Sequence, residues 1–306
     1  MLKLPAPAKI NLHLTVTGKT INGYHTLDTS FTYVDVGDTL RIENADNLHV
    51  TCSDPGLNTR NNLVFRVLDA MRNSFDITQG IKVHIEKNLP VQAGLGGGSS
   101  DAATAIIAAN ALWSLNLDSR TLIEFATPFG ADIPCFLFGH ASRATGVGER
   151  LEHLDPGIEG AHLVLAHPGI GLSTADVFSS YDKVSGTGAL QLTPSSAGDT
   201  IRAGFTGDGD VRFALGENAL ENVACGMCPE LATLLEAMRN QTKCAWMSGS
   251  GTACVALAEN AADARKLARR LEREELAAWT HAGRVLSCHP LHETGPKPKD
   301  WGVAKR

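Results

Sequence analysis

The stretch PVQAGLGGGSSDAATAIIAANALW, Pro90 to Trp113, decides the reading of this chain. Upstream of it, GIKVHIEKNLP alternates Ile81, Val83 and Ile85 with Lys82, His84 and Glu86 and stops at Pro90. That period of two is expected of a strand with one buried face. Downstream the period changes. Ala103, Ile106, Ile107, Asn110 and Trp113 share one face of a helix expected to begin at Ser99 or Ser100, with serine as N-cap and Asp101 suited to the positive end of the helix dipole. The order is strand, glycine loop, helix. Glycines at 94, 96, 97 and 98 allow positive φ and close backbone approach just before a helix N-terminus with unpaired N–H groups. Such a segment is suited to wrapping a polyphosphate anion.

Two familiar phosphate loops do not fit. A Walker A loop ends in Gly-Lys-Ser/Thr, and no lysine follows these glycines. A dinucleotide fingerprint needs glycine at its sixth position, and counting from Gly94 that position is Ser99.

Composition narrows the class further. The chain has 306 residues, 43% hydrophobic and 20% charged, which suits a globular protein of two domains. Its net charge of -6, without a block of consecutive basic residues, disfavours a general nucleic-acid surface. The most apolar stretch, Ala102 to Leu112, is too short for a membrane span and is interrupted by Asn110. The start, MLKLPAPAKINL, reads as neither a secretory nor an organellar leader, so a cytoplasmic protein is expected. Seven cysteines spread along the chain suit reduced thiols. The one C-x-x-C, Cys225 to Cys228, lacks a second pair and reads as a junction before a helix that opens at Pro229.

Three more segments carry candidate chemistry. In PAPAKINLHLTVTGKTINGYHTLDTSF, Lys9 and Asn11 project from the same face of a predicted strand, and Asn22-Gly23 forms a hairpin turn near Tyr24, His25 and Phe31. In FGADIPCFLFG, Asp132 lies among apolar residues, where an acid is either a helix N-cap or a functional group. In MSGSGTACVAL, Ser248 to Gly251 form a second glycine turn before an apolar strand, either a plain hairpin loop or a further wall of the anion site.

Taken together and in this order, A-K-I-N-L, A-G-L-G-G-G-S-S-D-A-A, G-A-D-I-P and M-S-G-S-G-T resemble the GHMP kinase family over residues 5 to 290. The resemblance implies an α+β, two-domain GHMP kinase fold. Its N-terminal domain, 1–155, would be like the second domain of ribosomal protein S5 and its C-terminal domain, 156–290, ferredoxin-like; beyond these, the Pro, Lys and Gly content of 291–306 suggests a flexible tail whose Trp301 could dock on the body. It implies an ATP-dependent phosphotransferase using Mg2+, with Asp132 as the catalytic base and Lys9 keeping it a carboxylate and orienting the acceptor. Nucleotide contacts would come from Asn62, Lys87, Pro90, Gly94, Leu95, Gly96, Gly97, Gly98, Ser99, Ser100 and Asn110. The G-Y-H segment implies a cytosine-bearing small-molecule acceptor, the 2-hydroxyl of 4-diphosphocytidyl-2-C-methyl-D-erythritol, in non-mevalonate isoprenoid synthesis. Asn11, Tyr24, His25, Phe31, Thr174 and Phe178 would contact it, with the rings of Tyr24, Phe31 and Phe178 stacking the base. Homoserine or mevalonate are the alternative acceptors. The chain departs from the family pattern at ENALENVA, where Ala219 and Asn222 stand in place of Asp and Pro.

Overall fold

The computed structural model describes residues 1–185, 202–203 and 213–301. The chain opens with two long antiparallel strands, β1 (Leu2–Lys19) and β2 (His25–Ala45), joined by a turn in which Gly23 has φ 84°. Then come β3 (His49–Cys52), α1 (Leu63–Ser74), β4 (Gly80–Glu86), α2 (Gly97–Leu112), α3 (Ser119–Ala126), α4 (Ile133–Phe138), β5 (Ser142–Gly146), β6 (Arg150–His153) and β7 (His162–His167). The second half holds α5 (Thr174–Ser185), β8 (Arg202–Ala203), β9 (Phe213–Ala214), α6 (Glu221–Met227), α7 (Pro229–Arg239), β10 (Ala245–Met247), β11 (Cys254–Ala258), α8 (Ala261–Arg273) and β12 (Trp279–Leu286). No helix among the described residues is long and apolar enough to cross a membrane.

The strand β2 is the seam of the molecule. Along one edge it pairs with β1; along the other it pairs in turn with β5, β12 and β4. The β12 pairing, Val285 with Val34 and Leu286 with Tyr33, joins the strands of both halves into one ten-stranded sheet. Ile81, Val83 and Ile85 are buried on β4 as their alternation requires. α2 differs from its sequence reading in two ways. It starts at Gly97 with Gly96 (φ 70°) as N-cap, because the left-handed backbone that sets the loop against β1 needs a glycine there rather than a serine. It is also buried without a break from Ser100 to Asn110 rather than along one face. Its alanines let β1, β2, α1 and α4 approach on several sides.

Three apolar clusters make the core. One is built from the first half and also takes in Leu291 and Trp301. A second is built from the second half and takes in Leu14, and a third lies between them around Ile10, Leu12, Leu165 and Trp246. The segment after β12 therefore packs on the body as far as Trp301, which is 6% exposed, rather than hanging free. The segment SGTGALQLTPSSAGDTIRAGFTGDGD, residues 185–210, whose Gly, Ser and Thr content reads as an exposed connection, lies almost entirely outside the described residues.

Candidate active site

A cleft of about 560 Å³ is lined by residues from β1, β2, the glycine loop, the start of α5 and the 248–251 turn. Its floor is Lys9. In isolation a lysine at that strand position faces solvent, but here the glycine loop lies across β1, with Lys9 N donating to Leu95 O at 3.0 Å, and Lys9 is buried. A buried ammonium needs partners. Lys9 Nζ donates to Asn11 Oδ1 at 2.6 Å, lies 3.4 Å from Asp132 Oδ2 and sits 5.1 Å over the ring of Phe31. Asn11 is itself oriented, since its Nδ2 donates to Thr29 Oγ1 at 2.8 Å.

Asp132 occupies the N-cap position of α4, yet its side chain caps nothing and turns toward Lys9. The helix cap, one of the two readings open for it in the sequence, is not made by its side chain. Its side chain is 37% exposed while that of Lys9 is 3% exposed, so the acid is the more open member of a pair that both line the cleft.

The glycine loop forms the opposite wall. Gly94 (φ 75°) has to be glycine, because a Cβ there would fall 2.2 Å from the carbonyl oxygen of Ser248. That close approach knits three segments: Ser248 Oγ donates to Gly94 O and accepts from Asn11 N, both at 3.1 Å. The 248–251 turn is the β10–β11 hairpin loop, and its Gly249 and Ser250 line the cleft. Asn218, from the ENALENVA segment, pins it by donating through Nδ2 to Met247 O and Gly249 O.

At the base of the loop Lys87 Nζ is held between Asp38 and Asp101, the latter at 3.1 Å, and Asp38 Oδ1 also accepts from the N–H groups of Asn88 and Leu89. Burial, with the Asp38 charge close by, pushes the Asp101 carboxyl up to about 8 against the pull of the Lys87 ammonium. Burial opposes the Lys87 charge, but the two carboxylates outweigh it and raise that group. Asp101 is therefore a partner of Lys87 as well as a residue of the first helical turn. Its Oδ1 and the hydroxyl of Ser100 are buried with no hydrogen-bond partner among the described residues.

The expected nucleotide contacts divide. Asn62, Lys87, Pro90 and Gly94 to Ser99 line the cleft, with Asn62 also capping α1 through Val64 N at 2.9 Å. Ser100 is fully buried behind the loop. Asn110 is not brought to the cleft. It sits near the far end of α2 with both amide atoms engaged by the backbone of Leu117. A one-face reading of α2 does not reveal this use.

The expected acceptor contacts also divide. Asn11, Phe31, Thr174 and Phe178 line the cleft, and Thr174 Oγ1 meets Ser250 Oγ at 2.9 Å. His25 stacks on Phe178 with ring centroids 4.6 Å apart, and its Nε2 lies 2.8 Å from Asp182 Oδ1. Tyr24 stands at the hairpin tip, 69% exposed and outside the cleft wall. Asp38, Asp182 and Asn218 are not singled out from sequence as parts of this network. Each acts through a contact distant along the chain, and no local pattern marks it.

The cysteines are free thiols, several of them held protonated by burial, with Cys225 pushed up to about 11. No group of three or more His, Cys, Asp or Glu side chains among the described residues is arranged to hold a metal ion.

The chain is similar to known proteins along nearly its whole length. Residues 62–140 match the GHMP kinases N terminal domain and residues 207–278 the GHMP kinases C terminal domain. A 4-diphosphocytidyl-2-C-methyl-D-erythritol kinase of Cupriavidus metallidurans is 36% identical over 94% of each chain. One of Ralstonia nicotianae is 37% identical over the same shares. The crystal structure of a 4-(cytidine 5'-diphospho)-2C-methyl-D-erythritol kinase, 31% identical, superposes with a TM-score of 0.72 over 93% of this chain and 99% of that one. With a glycine loop facing a lysine–aspartate pair and likeness along nearly its whole length, the chain belongs to the GHMP kinases and, within them, to the family of 4-diphosphocytidyl-2-C-methyl-D-erythritol kinases.

Proposed function

We propose that the chain transfers the terminal phosphoryl group of ATP to the 2-hydroxyl of 4-diphosphocytidyl-2-C-methyl-D-erythritol, releasing ADP and the 2-phosphate. The observation that carries this reading is the Lys9–Asp132 pair, 3.4 Å apart in a cleft whose facing wall is the glycine loop and the start of α2. Phosphoryl transfer needs positioning and charge stabilisation more than covalent chemistry. Asp132 accepts the hydroxyl proton as the oxygen becomes a nucleophile, and that proton remains on its carboxyl group until product leaves. Lys9, held by Asn11, orients the acid and the acceptor oxygen.

The polyphosphate of ATP fits the loop. A Cβ on Gly98 would meet nothing within 4 Å, so the backbone there faces open space, and the first-turn N–H groups of α2 point toward it. The unpartnered Ser100 hydroxyl and Asp101 oxygen lie at the same helix start. Magnesium, when bound, would supply positive charge against the transferring phosphoryl group, held largely by phosphate oxygens and water as a small hard cation that dehydrates reluctantly. Phe31 and Phe178 offer ring faces to the cytosine, and the Asp182 contact of His25 fixes one imidazole nitrogen so that the other can serve the base edge. Tyr24, exposed at the hairpin tip, would have to approach the cleft to join this stack.

On this reading the chain divides near residue 155, and the residues from 291 to Trp301 belong with the first domain, whose core takes in Leu291 and Trp301. It acts in the cytoplasm on a small molecule. A coupled ADP-release assay with ATP and magnesium, comparing the cytidyl substrate with homoserine and mevalonate, tests it. Turnover of the cytidyl substrate alone is the expected result. Activity on another acceptor with none on this one removes the cytosine pocket.

A further inference from the structure

Asp132 stands immediately before α4, a helix of six residues. So short a helix is not stable through its own hydrogen bonds, and its last carbonyls need outside partners. The C-terminal segment supplies them. Leu137 O accepts from Trp301 Nε1 at 2.9 Å and Gly139 O accepts from His289 N at 2.8 Å. Gly139, with φ 78°, turns the chain beneath the stacked rings of His292 and Trp301, whose centroids are 4.2 Å apart. A Cβ at Gly139 would fall 2.5 Å from the Trp301 ring, so the two surfaces are in close contact.

The same segment grips the chain on the other side of Asp132. Asp300 accepts from Ser119 N at 2.8 Å and from the Ser119 hydroxyl at the start of α3. From there α3 runs through a short turn, Thr127–Phe129, to Gly130, Ala131 and Asp132. Residues 119–139 are thus fixed at both ends by residues 289–301, and Trp301 shares an apolar cluster with Ile133, Phe136 and Leu137 of α4.

We propose that residues 289–301 are a brace that positions Asp132 toward Lys9, with Trp301 and Asp300 as positioning residues; its effect on turnover rests on the kinase reading above. A displacement of about 1 Å at the reacting groups can cost on the order of a hundredfold in rate. A clip that merely stabilised the fold would lower the folded fraction and leave each folded molecule as active as before.

The test uses Trp301→Ala, Trp301→Phe and Asp300→Ala in the full chain. kcat and both KM values are scaled to the folded fraction, and hydrogen exchange is followed by mass spectrometry in peptides covering 119–139. In Trp301→Ala we expect kcat per folded molecule to fall about tenfold or more with both KM values within about twofold, and exchange in α4 to quicken. Trp301→Phe keeps a ring on His292 and loses the indole N–H, and should fall between. Unchanged kcat and exchange in Trp301→Ala overturn the proposal, as do KM values that rise as far as kcat falls. If Trp301→Ala does not fold, Asp300→Ala decides by the same two readouts. If the unaltered chain does not phosphorylate the cytidyl substrate, the kinase reading has failed, and the exchange measurement alone decides the brace.

Discussion

Replacing Lys9 by methionine removes a buried charge while keeping most of the side chain's length. Three contacts go. The hydrogen bond to Asn11 at 2.6 Å involves a charged donor, a class worth about 1.5–3 kcal/mol, and its loss leaves a buried amide oxygen unpartnered. The pair with Asp132 at 3.4 Å ends on a carboxylate 37% exposed, so solvent screening holds it to about 1 kcal/mol or less. The Phe31 ring contact at 5.1 Å adds roughly 0.5–1 kcal/mol. Against these, methionine no longer needs an ammonium taken out of water, a relief of several kcal/mol. The terms oppose each other, and the net change in stability should stay within about 2 kcal/mol in either direction. Catalysis has no such offset. Loss of one preorganised cationic donor beside the reacting oxygen should lower kcat by about 10²–10³. The check is thermal unfolding of both proteins alongside the ADP-release assay at saturating substrates. A Lys9→Met protein that melts near the parent and keeps about a tenth or more of its kcat would refute the role given to this lysine.

Asp132→Asn should abolish turnover while calorimetric affinities for ATP and the cytidyl substrate stay within about tenfold, because an amide cannot take the hydroxyl proton; appreciable activity removes the base assignment. Tyr24→Ala should raise KM for the cytidyl substrate well above any change for ATP, since stacking on a base is worth roughly 1–3 kcal/mol; equal effects on both ligands, or none, leave the exposed hairpin ring outside the site. His289 is fully buried, and burial, helped by the nearby His292, depresses it to about 3. Below the ordinary histidine value of about 6.5 the unfolded chain takes up a proton that the native state refuses, so stability falls as pH drops from 6.5 toward 3. Each such histidine contributes a slope of up to about 1.4 kcal/mol per pH unit, and denaturant melts at pH 7, 5.5 and 4.5 should show His289→Gln flatter than the parent by that amount.

The legible parts of this protein were those whose physics is local. A period of two marks β4 wherever it packs, an Asn-Gly pair closes the β1–β2 turn, and Pro229 opens α7, because each depends on the backbone preferences of a few adjacent residues. The glycine loop was readable as a turn opening a helix for the same reason, although that helix begins earlier than the serines suggested. The family resemblance then ordered four separated segments that local physics could not connect.

What remained hidden were contacts between distant parts of the chain. Asn11 reaches Ser248 across 237 residues, and nothing near either one marks the partner. Asn110 shares a helix with the glycine loop, yet only the placement of Leu117 against it shows that its amide is already engaged. Asp101 suits a helix dipole when read alone, and becomes the partner of Lys87 once β2 brings Asp38 alongside. The segment after β12, polar and rich in proline and glycine, resembles a tail until Trp301 is seen beneath α4. The sequence alone therefore determined which segments are strand, glycine loop and helix, since backbone sterics and periodic burial act over short range. Tertiary structure decided which polar groups lose water together, and thus which lysine meets which acid, because desolvation depends on everything packed around a group and not on its neighbours in sequence.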